Sequence, residues 1–152
     1  MRKILFKAKL KDWKTNPQHN KWMKGYYLSR KETTYCFTED YERNPVKALH
    51  YIAVDSMTDW GLPNEFRLYE IDPDTLCQFT GLTDKNGDNI WENDIVKDDK
   101  IYMIGTIEWY EQHGTYVVND INDGYQNFEE FWSCTETVGN IFDNPELIKS
   151  EF

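Results

Sequence analysis

The stretch from Gln78 to Val96 constrains this chain more than any other, because an Asn86-Gly87 dipeptide sits there between two apolar runs. Both central residues of a two-residue type I′ hairpin turn need positive φ, and Asn and Gly tolerate it best. The pattern places a tight turn over Lys85 to Asp88. Before it, Phe79, Thr80, Gly81 and Leu82 set apolar side chains around a glycine. After it, Ile90, Trp91, Ile95 and Val96 interleave with Glu92 and Asp94, as expected of a chain entering a half-buried strand. The block reads as a structural corner without a catalytic constellation.

Asp84, Asn86 and Asp88 also alternate like the opening of a calcium loop. The spacing excludes an EF-hand. Such a loop needs Gly at its sixth position and a bidentate Glu at its twelfth, and counting from Asp84 those places hold Asn89 and Ile95.

The succession Phe79-Thr80-Gly81-Leu82, Asp84-Lys85-Asn86-Gly87 and Ile90-Trp91-Glu92-Asn93-Asp94-Ile95-Val96 closely resembles the YopX family of small phage and prophage proteins. Trp22 to Tyr27, Tyr69 to Thr75, Gly105 to Trp109 and Val138 to Leu147 resemble further blocks of that family, so the resemblance spans nearly the whole chain. Two positions depart from the pattern: Asn93 stands where many relatives have Gly, and Val138 runs directly into Gly139 without an extra aliphatic residue. The resemblance implies no assigned molecular function, and no catalytic residue or cofactor transfers with it.

Length and composition set independent bounds. At 152 residues the chain suits one domain, or a compact barrel with an appended segment, and can fold without disulfides or metal. Its aromatic content of 16%, with six Trp and ten Tyr, favours strands and supplies large buried areas. Three cysteines, Cys36, Cys77 and Cys134, are odd in number and widely separated, which argues against a disulfide framework or a zinc site and for buried or inert thiols. Met1-Arg2-Lys3 is followed by a short apolar run before Lys7, so no signal peptide is read and no stretch reaches transmembrane length. The expected location is the cytoplasm of a bacterial host, with no membrane partner.

Charge is polarised along the chain. Residues 1–31 hold ten Lys or Arg against the single acid Asp12, a balance of +9, and the remaining seven basic and 26 acidic residues give −19 over residues 32–152. The basic segment alternates Ile4, Phe6, Ala8 and Leu10 with Leu5, Lys7, Lys9 and Lys11, the period of a strand with one wet, charged face. A second strand follows from Trp22 through Leu28, after the polar loop Asn16 to Asn20. Lys3, Lys7, Lys9, Lys11, Lys14, Lys21 and Lys24, interleaved with Trp13, Trp22 and Tyr26, form a candidate nucleic-acid face that joins phosphate attraction to base stacking. The same pattern is also an ordinary way to keep a sheet edge soluble, or to neutralise an acidic remainder.

Residues 34–54 are ambiguous. Asn44-Pro45 can open a helix through Val46, Leu49, Ile52 and Ala53, whereas Tyr51, Ile52 and Val54 favour a strand. Phe66 to Ile71 reads as a strand ended by Asp72-Pro73, preceded by a loop over Trp60 to Asn64. Farther on, Asp94 to Lys97, Ile101 to Trp109, Thr115 to Asn119 and Glu136 to Phe142 are short strand candidates, with a looser insertion around Asn122-Asp123-Gly124. Asn144-Pro145-Glu146 opens a last helical turn, with Asn as its cap. The fold expected is mostly β with a minor α component: a small antiparallel SH3-like barrel over residues 78–152, with a β-rich segment over residues 1–77 packed on it, the whole forming one compact unit.

The search for chemistry returns little. His19, His50 and His113 make no i, i+4 pair and no zinc-protease pattern, and no Gly-rich phosphate loop or nucleophile motif occurs. Asp98-Asp99 and Glu129-Glu130 are adjacent pairs whose members point to opposite faces of a strand, so neither flanks one bond. Three functions of different class remain. The favoured one is a non-enzymatic module that binds a host or phage protein, or assembles with itself, through an aromatic and acidic barrel surface. The second is a nucleic-acid-binding accessory protein using the basic face. The third is a hydrolase with a site near Glu92 and Asp94. No catalytic residue, metal or cofactor is assigned.

Overall fold

A computed structural model describes residues 3–128 and 132–149. The chain divides into two compact units, Leu5–Leu76 and a second that joins the N-terminal residues through Ile4 to the chain from Cys77 onward. The pair Glu129-Glu130 lies outside the described residues.

The first unit holds β1 (Phe6–Lys9), β2 (Trp22–Lys31), a short helix α1 (Thr38–Arg43), β3 (Ala48–Ser56) and β4 (Glu65–Glu70). These strands run antiparallel in the order β4-β3-β2-β1. Ala8 faces Met23, Tyr27 faces Ile52, and Ile52 faces Tyr69. Because side chains alternate across a strand, that register gathers Ala8, Ile52 and Ile71 into a buried cluster with Phe6, Met23, Tyr27, Val54 and Leu76 against it. Asn44-Pro45 does not open a helix. It follows α1, and the β-branched and aromatic residues after it extend into β3. Asp72-Pro73 ends the strand region as expected, with Asp72 Oδ1 accepting from Asp74 N at 3.1 Å to start a single 3-10 turn.

The second unit opens with the hairpin of β5 (Cys77–Thr83) and β6 (Asn89–Trp91). Five antiparallel strands follow, β7 (Asp94–Asp98), β8 (Met103–Tyr110), β9 (Thr115–Asp120), β10 (Gly124–Asn127) and β11 (Glu136–Asn140), in the order β10-β9-β8-β7-β11. Ile90, Val96, Met103, Ile107, Tyr116, Val118 and Phe128 form its core, with Leu82 and Trp132 packed on it.

The closed SH3-like barrel expected here is corrected by this strand order. The sheet is open: β10 and β11 are its two edges, and no ladder joins them among the described residues. Closure needs matched edge strands with a consistent stagger. Here β10 spans four residues, and β11 carries a register shift between Thr137 and Gly139. The insertion around Gly124 is also a strand start rather than a loose loop, since Tyr125 pairs with Asn119 and Asn127 with Val117. In the last turn, Pro145–Ile148, Asn144 occupies the cap position without a side-chain capping hydrogen bond.

Candidate functional site

The basic N-terminal segment does not form the wet face that its alternation suggests. Lys7 and Lys9 are buried, at 6% and 1% exposure. Both lie over indole rings: Lys7 Nζ is 4.8 Å from the Trp22 ring centre, and Lys9 Nζ is 4.4 Å from Trp13 and 5.3 Å from Trp22. Lys9 Nζ also donates to Asn20 Oδ1. An aliphatic stem that packs and an ammonium attracted by an aromatic face allow a lysine to be buried at a strand position that looks solvated in sequence. Lys11 pairs with Glu70 at 2.8 Å and Lys14 approaches Asp72 at 4.0 Å. The hydrogen bond to Glu70 holds the Lys11 ammonium above its usual pKa. Lys3, Lys21 and Lys24 remain exposed.

On the same sheet a different feature emerges. The register Tyr26 to Ala53 to Leu68 places Tyr26, Phe66 and Leu68 on the face opposite the buried cluster, together with Lys24. Phe66 is 63% exposed, and the Tyr26 and Phe66 rings meet edge to face at 6.0 Å. The connection from β3 to β4 adds exposed Met57, Leu62 and Trp60, the last at 91% exposure. These positions read as strand and loop residues in the sequence. Strand alternation marks Phe66 and Leu68 as sharing a face but does not say which face is covered.

The corner at Asp84 to Asp88 is built around one carboxylate. Asp84 Oδ1 accepts from Asn86 N at 2.8 Å and Asp88 N at 3.0 Å, and Oδ2 accepts from Thr137 N at 3.0 Å. Burial works to raise its pKa. The N–H groups of Thr137, Asp88, Asn86 and Gly87 outweigh that and hold the carboxyl below the usual range. The turn is not type I′. Gly87, at φ +86°, has the positive φ here and Asn86 does not. Gly87 N donates to Asp84 O at 3.0 Å and Asp84 N to Asp88 O at 2.8 Å, giving a three-residue loop with glycine in the left-handed position. In this loop the Asp84 side chain satisfies the backbone N–H groups of Asn86 and Asp88. Around it, Lys85 N donates to Thr135 O at 2.9 Å and Lys85 Nζ pairs with Glu136 at 2.6 Å.

The remaining motif residues are also structural. Thr80 Oγ1 donates to Ile90 O at 2.8 Å, Gly81 takes φ +90° where β5 and β6 shift register, and the Phe79 and Trp91 rings lie 5.3 Å apart. Asn93, at φ +65°, explains the first departure from the family pattern, since Asn is the residue after Gly that best tolerates a left-handed backbone. Its side-chain amide donates to Cys77 Sγ at 3.6 Å.

Glu92 and Asp94 share a corner but not a role. Asp94 is 2% exposed and its Oδ2 accepts from Trp91 N at 2.8 Å, which ties the turn together. Glu92 is partly exposed and lines an open cavity of about 220 Å³ with Gln78, Trp109 and Tyr116. Its Oε2 accepts a long hydrogen bond of 3.4 Å from Gln78 N, and no Lys, Arg or His pairs with it among the described residues. Burial accordingly pushes its carboxyl above the usual range. The Trp109 and Tyr116 rings meet at 5.0 Å and also wall a neighbouring cavity of about 530 Å³ that includes Leu82, Phe128 and Trp132. Sequence alternation names Trp109 as a strand residue, but the partnership with Glu92 depends on pairing between distant strands.

The other candidates have structural partners. Asp98 accepts from Lys100 N at 2.9 Å, while Asp99 lies 3.6 Å from Lys97 Nζ. Glu108 takes hydrogen bonds from Thr106, Asn119 and Tyr125 on the outer face of β8. His19 Nδ1 meets Asp12 Oδ1 at 2.7 Å, His50 Nδ1 meets the Tyr27 hydroxyl at 2.7 Å, and His113 packs edge-on to Tyr110. Of the cysteines, Cys77 is buried, whereas Cys36 and Cys134 are exposed rather than buried. Among the described residues no three His, Cys, Asp or Glu side chains converge on a metal position, and no helix is long and apolar enough to cross a membrane.

No curated protein matches the chain. A family model described as YopX protein matches residues 13–149, from the Trp13 loop through the last turn, and with that match the chain belongs to the YopX family.

Proposed function

We propose that this protein is a non-enzymatic interaction module, carried by a phage or prophage and working in the cytoplasm of its bacterial host, that binds a protein partner. The observation that supports this reading is the outward face of the first unit's sheet, where Tyr26, Phe66 and Leu68 stand exposed beside the Met57, Trp60 and Leu62 connection. Several exposed large apolar side chains on one sheet face and its adjoining connection mark interaction sites more often than they serve a monomer. Relative to the sequence expectation, the binding surface moves from the second unit to the first. Asp94 has a turn-tying role at the hydrolase position, which favours binding over catalysis there.

The test is a tagged pull-down from host lysate with and without nuclease, repeated with a Phe66→Ser/Leu68→Ser variant. Both positions are exposed, so folding should persist, and circular dichroism checks it. The expected result is a stoichiometric protein that survives nuclease and is lost with the variant. Capture that is indifferent to both substitutions overturns the reading.

One observation favours a nucleic acid as a second reading: Lys24 shares the outward face with Tyr26 and Phe66, so a basic side chain and stacking rings lie on one face. Lys7 and Lys9 contribute less than their sequence pattern suggests because they are buried. This reading expects binding of single-stranded DNA that weakens with salt and with Lys24→Gln; no binding at low salt removes it.

A further inference from the structure

We propose that the cleft formed by Gln78, Glu92, Trp109 and Tyr116 is a binding site for an organic cation, an alkylammonium or guanidinium head with an apolar neighbour. The site lies wholly within the second unit and is independent of the partner surface on the first.

Three observations converge on it. The carboxylate of Glu92 is partly withdrawn from water, yet its only hydrogen bond from the protein is the long one from Gln78 N, and no basic side chain compensates it among the described residues. A desolvated carboxylate without a countercharge is unfavourable, and a cation entering the cleft relieves it. The second observation is the walls. Trp109, 44% exposed, meets the buried Tyr116 edge to face at 5.0 Å, and an exposed indole face attracts cations through its negative π surface. An anion is repelled by this combination, and a neutral donor satisfies the carboxylate's acceptor capacity without supplying the countercharge.

The third is shape. The volume of about 220 Å³ suits a trimethylammonium, ammonium or guanidinium head rather than a large ring system. Trp109 and Tyr116 also wall the neighbouring cavity with Leu82, Phe128 and Trp132, which offers an apolar continuation for whatever carries the cation. Gln78 adds a side-chain amide at the rim, able to accept from an N–H donor. The same head group is found on free small molecules such as choline and on Lys or Arg side chains of proteins. The shared chemistry is what the cleft recognises.

The experiment titrates the full chain at constant ionic strength with choline, with its neutral isostere 3,3-dimethylbutan-1-ol, and with Nα-acetyl-lysine amide and Nα-acetyl-arginine amide. The Trp109 indole N–H resonance is followed, assigned through Trp109→Phe. Saturable shifts with choline or with either amino-acid amide are expected, and about tenfold weaker binding in Glu92→Gln, the scale of a cation–aromatic and carboxylate contact. A glutamine at this position keeps an acceptor for Gln78 N, so the fold is expected to survive, and Trp109→Leu, followed through the backbone amide resonances of Gln78 and Glu92, provides an independent variant that should also weaken binding. Saturation by choline alone assigns a small-molecule source, and saturation by the amides alone assigns a polypeptide one. Equal shifts from the neutral isostere, no saturation by any cation, or unchanged affinity in Glu92→Gln overturns the proposal.

Discussion

The corner at Asp84 and the corner at Glu92 lie eight residues apart in one sequence block, and they treat a carboxylate in opposite ways. Asp84 is surrounded by backbone donors from its own turn and from Thr137, so its negative charge is stabilised in the folded chain. Glu92 is drawn partly out of water beside Trp109 and Tyr116 with one weak donor, so its charge is disfavoured. The first arrangement serves the fold. The second leaves an unmet electrostatic demand in a cleft, which is a property of sites more than of scaffolds. A family motif that reads as one unit in sequence therefore divides, in three dimensions, into a part that holds and a part that is available to bind.

The largest test of this contrast is Asp84→Ala. It removes the acceptor of three backbone N–H groups, two of them in an exposed turn, at a cost of about 2 kcal/mol. Urea denaturation at pH 7 should show a midpoint well below that of the parent chain. Because the folded pKa is depressed, the stabilisation is fully present above the ordinary value of 3.8 and is lost as pH falls toward the folded pKa. The gap between the two chains should therefore narrow in acid. A midpoint unchanged at pH 7 would mean that the corner is not held by this carboxylate.

A smaller effect is expected from Asn93→Val, which forces a β-branched side chain into a backbone with φ +65° and removes the amide contact to Cys77. The expected loss is about 1–2 kcal/mol, whereas Asn93→Gly should fall within about 0.5 kcal/mol of the parent. Thermal denaturation of both variants separates a conformational requirement from a side-chain one. If Val is tolerated as well as Gly, the left-handed geometry is not what the position demands.

Local chemistry made much of the fold readable. The corner near Gly87, the strands β7, β8, β9 and β11 and the turn at Asp72-Pro73 follow from turn residues and period-two alternation, which act over a few positions. What alternation cannot report is which of two faces is covered. Hence Lys7 and Lys9 read as wet and are buried under Trp13 and Trp22, while Phe66 reads as an ordinary strand residue and is exposed. Barrel closure failed for a related reason: it depends on how edge strands β10 and β11 meet, and neither carries a sequence signal for its neighbour. Glu92 was visible as a carboxylate near Asp94, but its true companions, Trp109 and Tyr116, come from strands that only the pairing register brings beside it.

The smallest effect should come from Glu92→Gln, and its sign runs opposite to that of Asp84→Ala. A carboxyl whose folded pKa lies above its ordinary value of 4.5 binds a proton more tightly in the folded chain, so stability falls as pH rises through the interval between the two values. Above that interval the parent chain carries the full penalty; below it the penalty is gone. The substituted glutamine is neutral at every pH and retains an oxygen for Gln78 N. The variant should thus be more stable than the parent at pH 7, by up to about 1 kcal/mol given the solvent that still reaches the group, and should match it at acid pH. Differential scanning calorimetry across that range reads both the sign and its disappearance. A variant that is less stable at pH 7 would show that Glu92 is a structural acceptor like Asp84, and the distinction between the two corners would collapse. A variant that gains stability while losing choline or lysine-amide binding would show the cleft trading fold stability for affinity, as expected where a charge is kept for a ligand.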